Sequence, residues 1–221
     1  MADDAADSPA RGRDLEALAD AVRRLLDVTV SAAAPRDALA AARERVLAAT
    51  AELEPFVPQP KPPRYPGPPN DASPNDFFPY DFVLGRFNPI AVPMKVVWQP
   101  PLAIGTVVFD TPYEGPPGCV HGGMLAACFD QVFNAANLMS GVAGPTRKLE
   151  IRYLKPTPLR RELRFEGSVR AVEGRYVHTV GRVLAGDVVT VEATGQFVQI
   201  SSERVMRLLG AQDESGPKRS D

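Results

Sequence analysis

The chain has 221 residues, a formal net charge of −2 and a pI near 5.8, which gives no electrostatic footprint for nucleic acid. That length holds one good-sized domain with an accessory segment, and no run reaches the ~18 to 20 apolar residues of a membrane-spanning helix. The acidic start MADDAADSPARGR has no apolar signal region, and Cys119 and Cys128 form no spaced framework; a reduced, cytoplasmic setting is the expectation.

Residues 1–12 read as unstructured. Leu15, Leu18, Val22, Leu25 and Leu26 then recur at helical spacing, with Arg23 and Arg24 off that stripe. Pro35 and Asp37 open a second helix with Leu39, Ala42, Val46, Thr50 and Leu53 on one face. Residues 1–54 thus form an N-terminal helical extension. Short helices draw most of their stability from packing, so it is expected to rest on its own domain rather than to act as a lid or oligomerisation arm. Residues 55–80 contain ten prolines, the composition of a semi-rigid linker. Its PxxP spacings (Pro60 to Pro63, Pro63 to Pro66) follow from that composition, and Phe77, Phe78 and Tyr80 are expected to anchor its end.

The folded domain is expected over residues 81–201, followed by a tail over 202–221 with a short helix at 203–210. VPMKVVWQPP and LAIGTVVFDTPY read as a β-hairpin bounded by Pro and Gly. Further on, Leu149, Ile151 and Tyr153 alternate with Lys148, Glu150 and Arg152, as in a half-buried strand. ELRFEGSVRAV, YVHTVGRVLA and DVVTVEATGQFVQI follow, joined by the tight-turn signals Glu173-Gly174 and Gly186-Asp187. An antiparallel sheet with one long apolar helix has a simple solution: the sheet curls around the helix.

That helix lies in residues 115–139, GPPGCVHGGMLAACFDQVFNAANLM. Pro116 and Pro117 stiffen its approach and Gly118 bends it. Gly122 and Gly123 place open N–H groups at a helix N-terminus, where donors lack partners and the dipole is positive; such an end suits a carbonyl oxygen or a developing oxyanion. The helix is apolar almost all round and must be covered. Its one acid, Asp130, therefore sits where desolvation strengthens a carboxylate as a base. The residues leave two readings for Asp130: a catalytic group, or a structural one bonded to nearby backbone or to Asn134.

His121-Gly122-Gly123 with Asp130 nine positions after the histidine, Thr146 sixteen further on, and the strand TRKLEIRYLKPTPL resemble the hotdog-fold acyl-CoA thioesterases of the phenylacetyl-CoA thioesterase type, over roughly residues 82–200. The resemblance implies an α+β hotdog fold, an antiparallel sheet wrapped around a long central helix. It implies hydrolysis of an acyl-CoA, with Asp130 as general base or nucleophile, Gly123 and Gly122 as oxyanion donors, Thr146 positioning water or the carboxylate, and His121 shaping the turn. It further implies a homodimer or dimer of dimers. Some members carry Asn or Gln shortly before HGG; here Tyr113, Glu114 and Gly115 stand there.

Coenzyme A enters as part of the substrate, so no metal and no separate cofactor are expected. Its phosphates call for basic groups, for which Lys155 and Arg160 are the candidates. There is no G-x-S-x-G elbow, no G-x-G-x-x-G and no Walker pattern. His121 and His178, the only histidines, complete no metal site, and His178 reads as structural. Two other functions fit less well. A hotdog hydratase or dehydratase needs a catalytic histidine paired with an acid in a different motif, and a non-catalytic acyl-CoA sensor or scaffold would signal through the N-terminal arm.

Overall fold

A computed structural model describes residues 9–58, 73–92, 94–142 and 144–200. The PxxP spacings and the short helix expected at 203–210 lie outside the described residues. The elements run α1 (Pro9–Ser31), α2 (Arg36–Leu53), α3 (Pro74–Phe77), β1 (Lys95–Gln99), β2 (Leu102–Val108), α4 (Gly122–Met139), β3 (Thr146–Tyr153), β4 (Glu162–Glu173), β5 (Tyr176–Ala185) and β6 (Val188–Val198). All six strands form one antiparallel sheet in the order β1-β2-β4-β5-β6-β3. The expected hotdog architecture is present: α4 lies along the sheet, and Leu125, Phe129, Val132 and Phe133 are fully buried against it.

The hairpins close where the turn chemistry placed them. Gly174 and Gly186 adopt φ of 59° and 61°, the left-handed region that a tight two-residue hairpin turn requires. A less visible feature lets the helix come close. A Cβ on Gly181 would stand 2.6 Å from Phe133 Cε1, and one on Gly195 2.8 Å from Phe133 Cδ2; the equivalent atom on Gly167 would meet Phe133 Cδ1 at 3.1 Å. Three central strands thus present bare backbone to one phenylalanine ring, which also packs edge-on against Phe197. On the other flank, Trp98 Nε1 donates to the Ala135 carbonyl at 2.9 Å.

The entry to the domain is stapled by Asn75. Its amide donates to the Met94 carbonyl and its Oδ1 accepts from Val96 N–H, both at 2.9 Å. Phe77 packs edge-on against Trp98 at 6.0 Å between centroids, and Tyr80 against Phe87 at 5.4 Å, so the aromatic anchors lie where they were expected.

The N-terminal region departs from the sequence reading in three ways. Residues 9–12 are already helical. The packed face of α1 centres on Ala19, with Leu15 and Val22 half-buried and Leu18 and Leu25 exposed. Arg23 belongs to that face rather than lying off it: its guanidinium donates to the carbonyls of Ala91 and Asn88, each at 3.1 Å. A long side chain can cover apolar surface with its stem while its head finds acceptors, which a purely apolar periodicity does not reveal. The expected packing fails for α2. It buries no residue, and Leu39, Val46, Leu47 and Leu53 remain exposed.

The helix also differs from a fully wrapped one. Met124, Ala126, Ala127, Asp130 and Asn134 are only half-buried, so α4 keeps one stripe open along its length. The sheet covers a single flank of a helix whose composition calls for cover on both.

Candidate active site

The turn before α4 is built by backbone pairing. Gly115 N–H donates to Cys119 O, Val120 N–H to Thr157 O, and His121 N–H to Tyr113 O, at 2.8 to 2.9 Å. Glu114, in the segment where some family members carry Asn or Gln, braces the turn from within: its Oε1 accepts from Gly118 N–H at 2.6 Å. Tyr113 turns inward and donates from its hydroxyl to the Ala91 carbonyl at 3.2 Å, the same carbonyl that Arg23 holds.

His121 is the residue before the first turn of α4, and its Nδ1 accepts from Gly123 N–H at 3.0 Å. The expected oxyanion donor is therefore satisfied by a side chain in the free protein. On the other face of the same peptide, Tyr153 Oη donates to the Gly122 carbonyl at 2.9 Å. A cavity of about 450 Å³ opens beside this helix end, lined by Gly122, Cys119, Leu125, Tyr153, Leu154 and Lys155 among others.

Asp130 lies two turns further along α4. Thr146, the first residue of β3, donates from Oγ1 to Asp130 Oδ1 at 2.6 Å. Burial pushes the Asp130 carboxyl above the ordinary value of 3.8; the Thr146 hydrogen bond opposes the rise and the negative charge of Asp81 adds to it. Asp81 is itself well held, since Oδ1 accepts from Val83 and Leu84 N–H at 2.7 and 2.9 Å and Oδ2 from Gln131 Nε2 at 3.2 Å. The neighbouring Cys128 is fully buried with its thiol pushed far up by desolvation, so it is inert.

The sequence-derived residues thus fall into two groups. Asp130 and Thr146 meet directly. His121, Gly122, Gly123 and Lys155 gather at the helix N-terminus, and from Gly123 to Asp130 is seven residues, or ~10 Å along the axis. Arg160 belongs to neither. It donates to Asp110 at 3.0 Å and to Thr111 Oγ1 at 2.6 Å, and that pairing helps hold the Asp110 carboxyl low, after the Thr111 N–H. The sequence reading gave no role to Tyr153, Asp81, Gln131 or Glu114. Tyr153 alone carried a signal, standing at the end of the strand motif, yet its alternation assigned it to a core face. Among the described residues no cluster of three or more His, Cys, Asp or Glu side chains is arranged to hold a metal ion, and no helix is long and apolar enough to cross a membrane.

A long helix laid along one face of an antiparallel sheet, with a glycine-opened N-terminus and one half-buried acid, defines a protein of the hotdog thioesterase class. The comparisons agree. A family model for the thioesterase superfamily matches residues 117–192. A crystal structure of a thioesterase superfamily protein aligns with a TM-score of 0.73 at 31% identity, covering 84% of this chain and 90% of that one. The chain is 33% identical over 92 residues to acyl-coenzyme A thioesterase THEM4 of Xenopus laevis, covering 40% of this chain and 41% of that protein. It is 32% identical over 93 residues to the Mus musculus THEM4, covering 41% and 40%. The chain thus spans about two fifths of the length of these curated relatives. The chain belongs to the thioesterase superfamily, as the HGG motif and its spaced acid led us to expect.

Proposed function

We propose that the chain is an acyl-CoA thioesterase that hydrolyses an acyl-CoA to a free carboxylic acid and CoA. The observation that carries this reading is the Thr146–Asp130 hydrogen bond on a helix whose own N-terminus offers a glycine N–H. The bond orients a carboxylate whose pKa burial raises against the opposing pull of that same bond, and a raised pKa is the property a general base near neutral pH needs. The thioester carbonyl would take over the Gly123 N–H from His121 Nδ1. Asp130 would accept a proton from water as the hydroxyl adds to the carbonyl carbon, and the C–S bond would then break with the sulfur taking that proton back from Asp130, so that CoA leaves as the thiol. Direct attack by the carboxylate, giving an anhydride, uses the same ionised group. Lys155, which lines the cavity next to Gly122 and enters no ion pair among the described residues, is the better candidate for a CoA phosphate, since Arg160 is already engaged by Asp110.

We further infer that the working unit is a homodimer. Gly123 and Asp130 are too far apart on one helix for a reacting atom to lie ~3 Å from both. The half-buried stripe of Ala127, Asp130 and Asn134 runs along α4 from near Gly123 past Asp130, and β3, which carries Thr146, is an edge strand with an unpaired side. A second copy related by a twofold axis would cover that stripe and bring its helix N-terminus to Asp130.

CoA release from a panel of acyl-CoAs, followed with a thiol reagent, tests the proposal. Release of thiol with loss of the thioester supports hydrolysis. Tight binding without release supports a sensor, and consumption of an enoyl-CoA without thiol release supports a hydratase.

A further inference from the structure

We propose that Tyr153 is a positioning residue for the Gly123 donor, an inference that rests on the hydrolase reading above. The Gly122 carbonyl that accepts from Tyr153 Oη at 2.9 Å and the Gly123 N–H belong to one peptide unit. That unit is planar, so a hydrogen bond that fixes its oxygen also fixes the direction of its N–H. Donation to the carbonyl also polarises the amide and makes the N–H a stronger donor. The contact depends on a missing side chain: a Cβ on Gly122 would stand 2.9 Å from Tyr153 Oη and 3.0 Å from Cζ. Gly122 thus admits the tyrosine while Gly123 presents the donor.

The peptide is held from both sides, by His121 Nδ1 on its N–H and by Tyr153 on its carbonyl. These holds are not equivalent once substrate arrives. The thioester carbonyl needs the N–H and must displace His121, whereas the Tyr153 bond is compatible with the bound state. It is the side-chain hold that remains while charge builds on the oxyanion. The first turn of a helix is where backbone direction is least fixed, so a peptide there gains from an external clamp. The same strand places both clamps of this helix: Thr146 at the start of β3 holds Asp130, and Tyr153 at its end holds the Gly122–Gly123 peptide. The two parts of the machinery are thereby set against one rigid ruler, ~23 Å long at the usual strand rise.

The test uses Tyr153→Phe, which removes only the hydroxyl of a side chain that is about half exposed. The Gly122–Gly123 bond is the one Gly-Gly pair in the sequence, so protein labelled with 13C-carbonyl and 15N glycine gives a single carbonyl–amide cross-peak for this peptide. We expect that cross-peak to move in Tyr153→Phe, with kcat lower by about tenfold, the scale of one lost hydrogen bond, and with KM and Tm close to wild type. An unmoved cross-peak, an unchanged kcat, or a fall in kcat accompanied by a matching fall in Tm would each overturn the proposal. A wild-type protein that releases no CoA would instead overturn the hydrolase reading, and the cross-peak would then decide by itself whether the clamp exists.

Discussion

Thr146 Oγ1 and Asp130 Oδ1 lie 2.6 Å apart, joining the first residue of β3 to the middle of α4. A hydroxyl that donates to a carboxylate leaves the other carboxylate oxygen free for water or substrate. Asp130→Asn should therefore keep the fold and lower kcat by about 10²- to 10⁴-fold, as expected for loss of a general base. Thr146→Ala should cost on the order of 10²-fold or less, as for a positioning group. Thiol release under saturating acyl-CoA measures both. Wild-type turnover in Asp130→Asn would make the carboxylate a structural group.

The raised pKa of Asp130 has a sign that can be checked twice. Only the ionised carboxylate serves as base or nucleophile, so the acid limb of kcat/KM should inflect above 3.8, the ordinary value. Burial is the main cause, with Asp81 adding to it and Thr146 opposing. Asp81→Asn, which keeps an acceptor for Val83 and Leu84, should move the inflection down, and Thr146→Ala should move it up. The folded protein binds this proton more tightly than the unfolded chain, so stability falls as pH rises from the unfolded pKa through the folded one. At neutral pH Asp130→Asn should then melt at a higher temperature than wild type. A lower Tm there would mean that the carboxylate stabilises the fold.

Much of this site could be read from the sequence because its signals are local. The glycine-opened helix and the acid on it follow from the local run of residues, whereas Thr146 is singled out by the resemblance of the strand that follows the helix. What escaped depends on contacts between distant elements. Arg23 joins the packed face of α1 only because two carbonyls of the 88–91 loop are there to receive it. Gly167, Gly181 and Gly195 look like ordinary strand residues until Phe133 is placed over them. Tyr153 shares the strand face of Leu149 and Ile151, yet it lies half exposed and its hydroxyl reaches the helix end.

The glycine cradle gives a stability prediction. A Cβ on Gly195 would lie 2.7 Å from Phe197 Cε2 and 2.8 Å from Phe133 Cδ2. Gly195→Ala should destabilise by roughly 1 to 3 kcal/mol, the usual cost of overpacking a filled core. Combining it with Phe133→Leu should cost less than the sum of the two single changes, because the smaller side chain makes room. Urea denaturation of the four proteins tests this, and strict additivity would show that the ring does not bear on the glycine.

A cut upstream of the domain should be tolerated only if Asn75 stays. That side chain holds Met94 O and Val96 N–H at the start of β1, so a chain beginning at Asp81 loses the staple while one beginning at Ser73 keeps it. The longer version should fold and release CoA, with Tm reduced by the loss of Arg23 and the packed face of α1. Asn75→Ala in the full chain should cost ~1 to 3 kcal/mol by leaving buried backbone groups unpaired. If the Ser73 version folds but changes its acyl-chain preference, α1 and α2 belong to the substrate site.

The last prediction concerns sharing of the site between subunits. Gly123 and Asp130 sit seven residues apart on α4, and free N–H groups at a helix end point outward from it, away from Asp130. One carbonyl carbon cannot be within reach of both groups on a single straight helix. Two helices related by a twofold axis can satisfy it, each Asp130 facing the N-terminus of the other α4. Asp130→Asn removes the carboxylate, and Gly123→Pro removes the N–H; each variant alone should be inactive. Refolded together in equal amounts, about half of the dimers should be mixed, and by the symmetry of a C₂ interface each mixed dimer carries one site with both groups intact. Activity should then return to about a quarter of wild type. Native mass spectrometry can count the mixed dimers in the same sample. If they form and no thiol is released, each subunit must build its whole site alone, and the antiparallel pairing of helices is wrong.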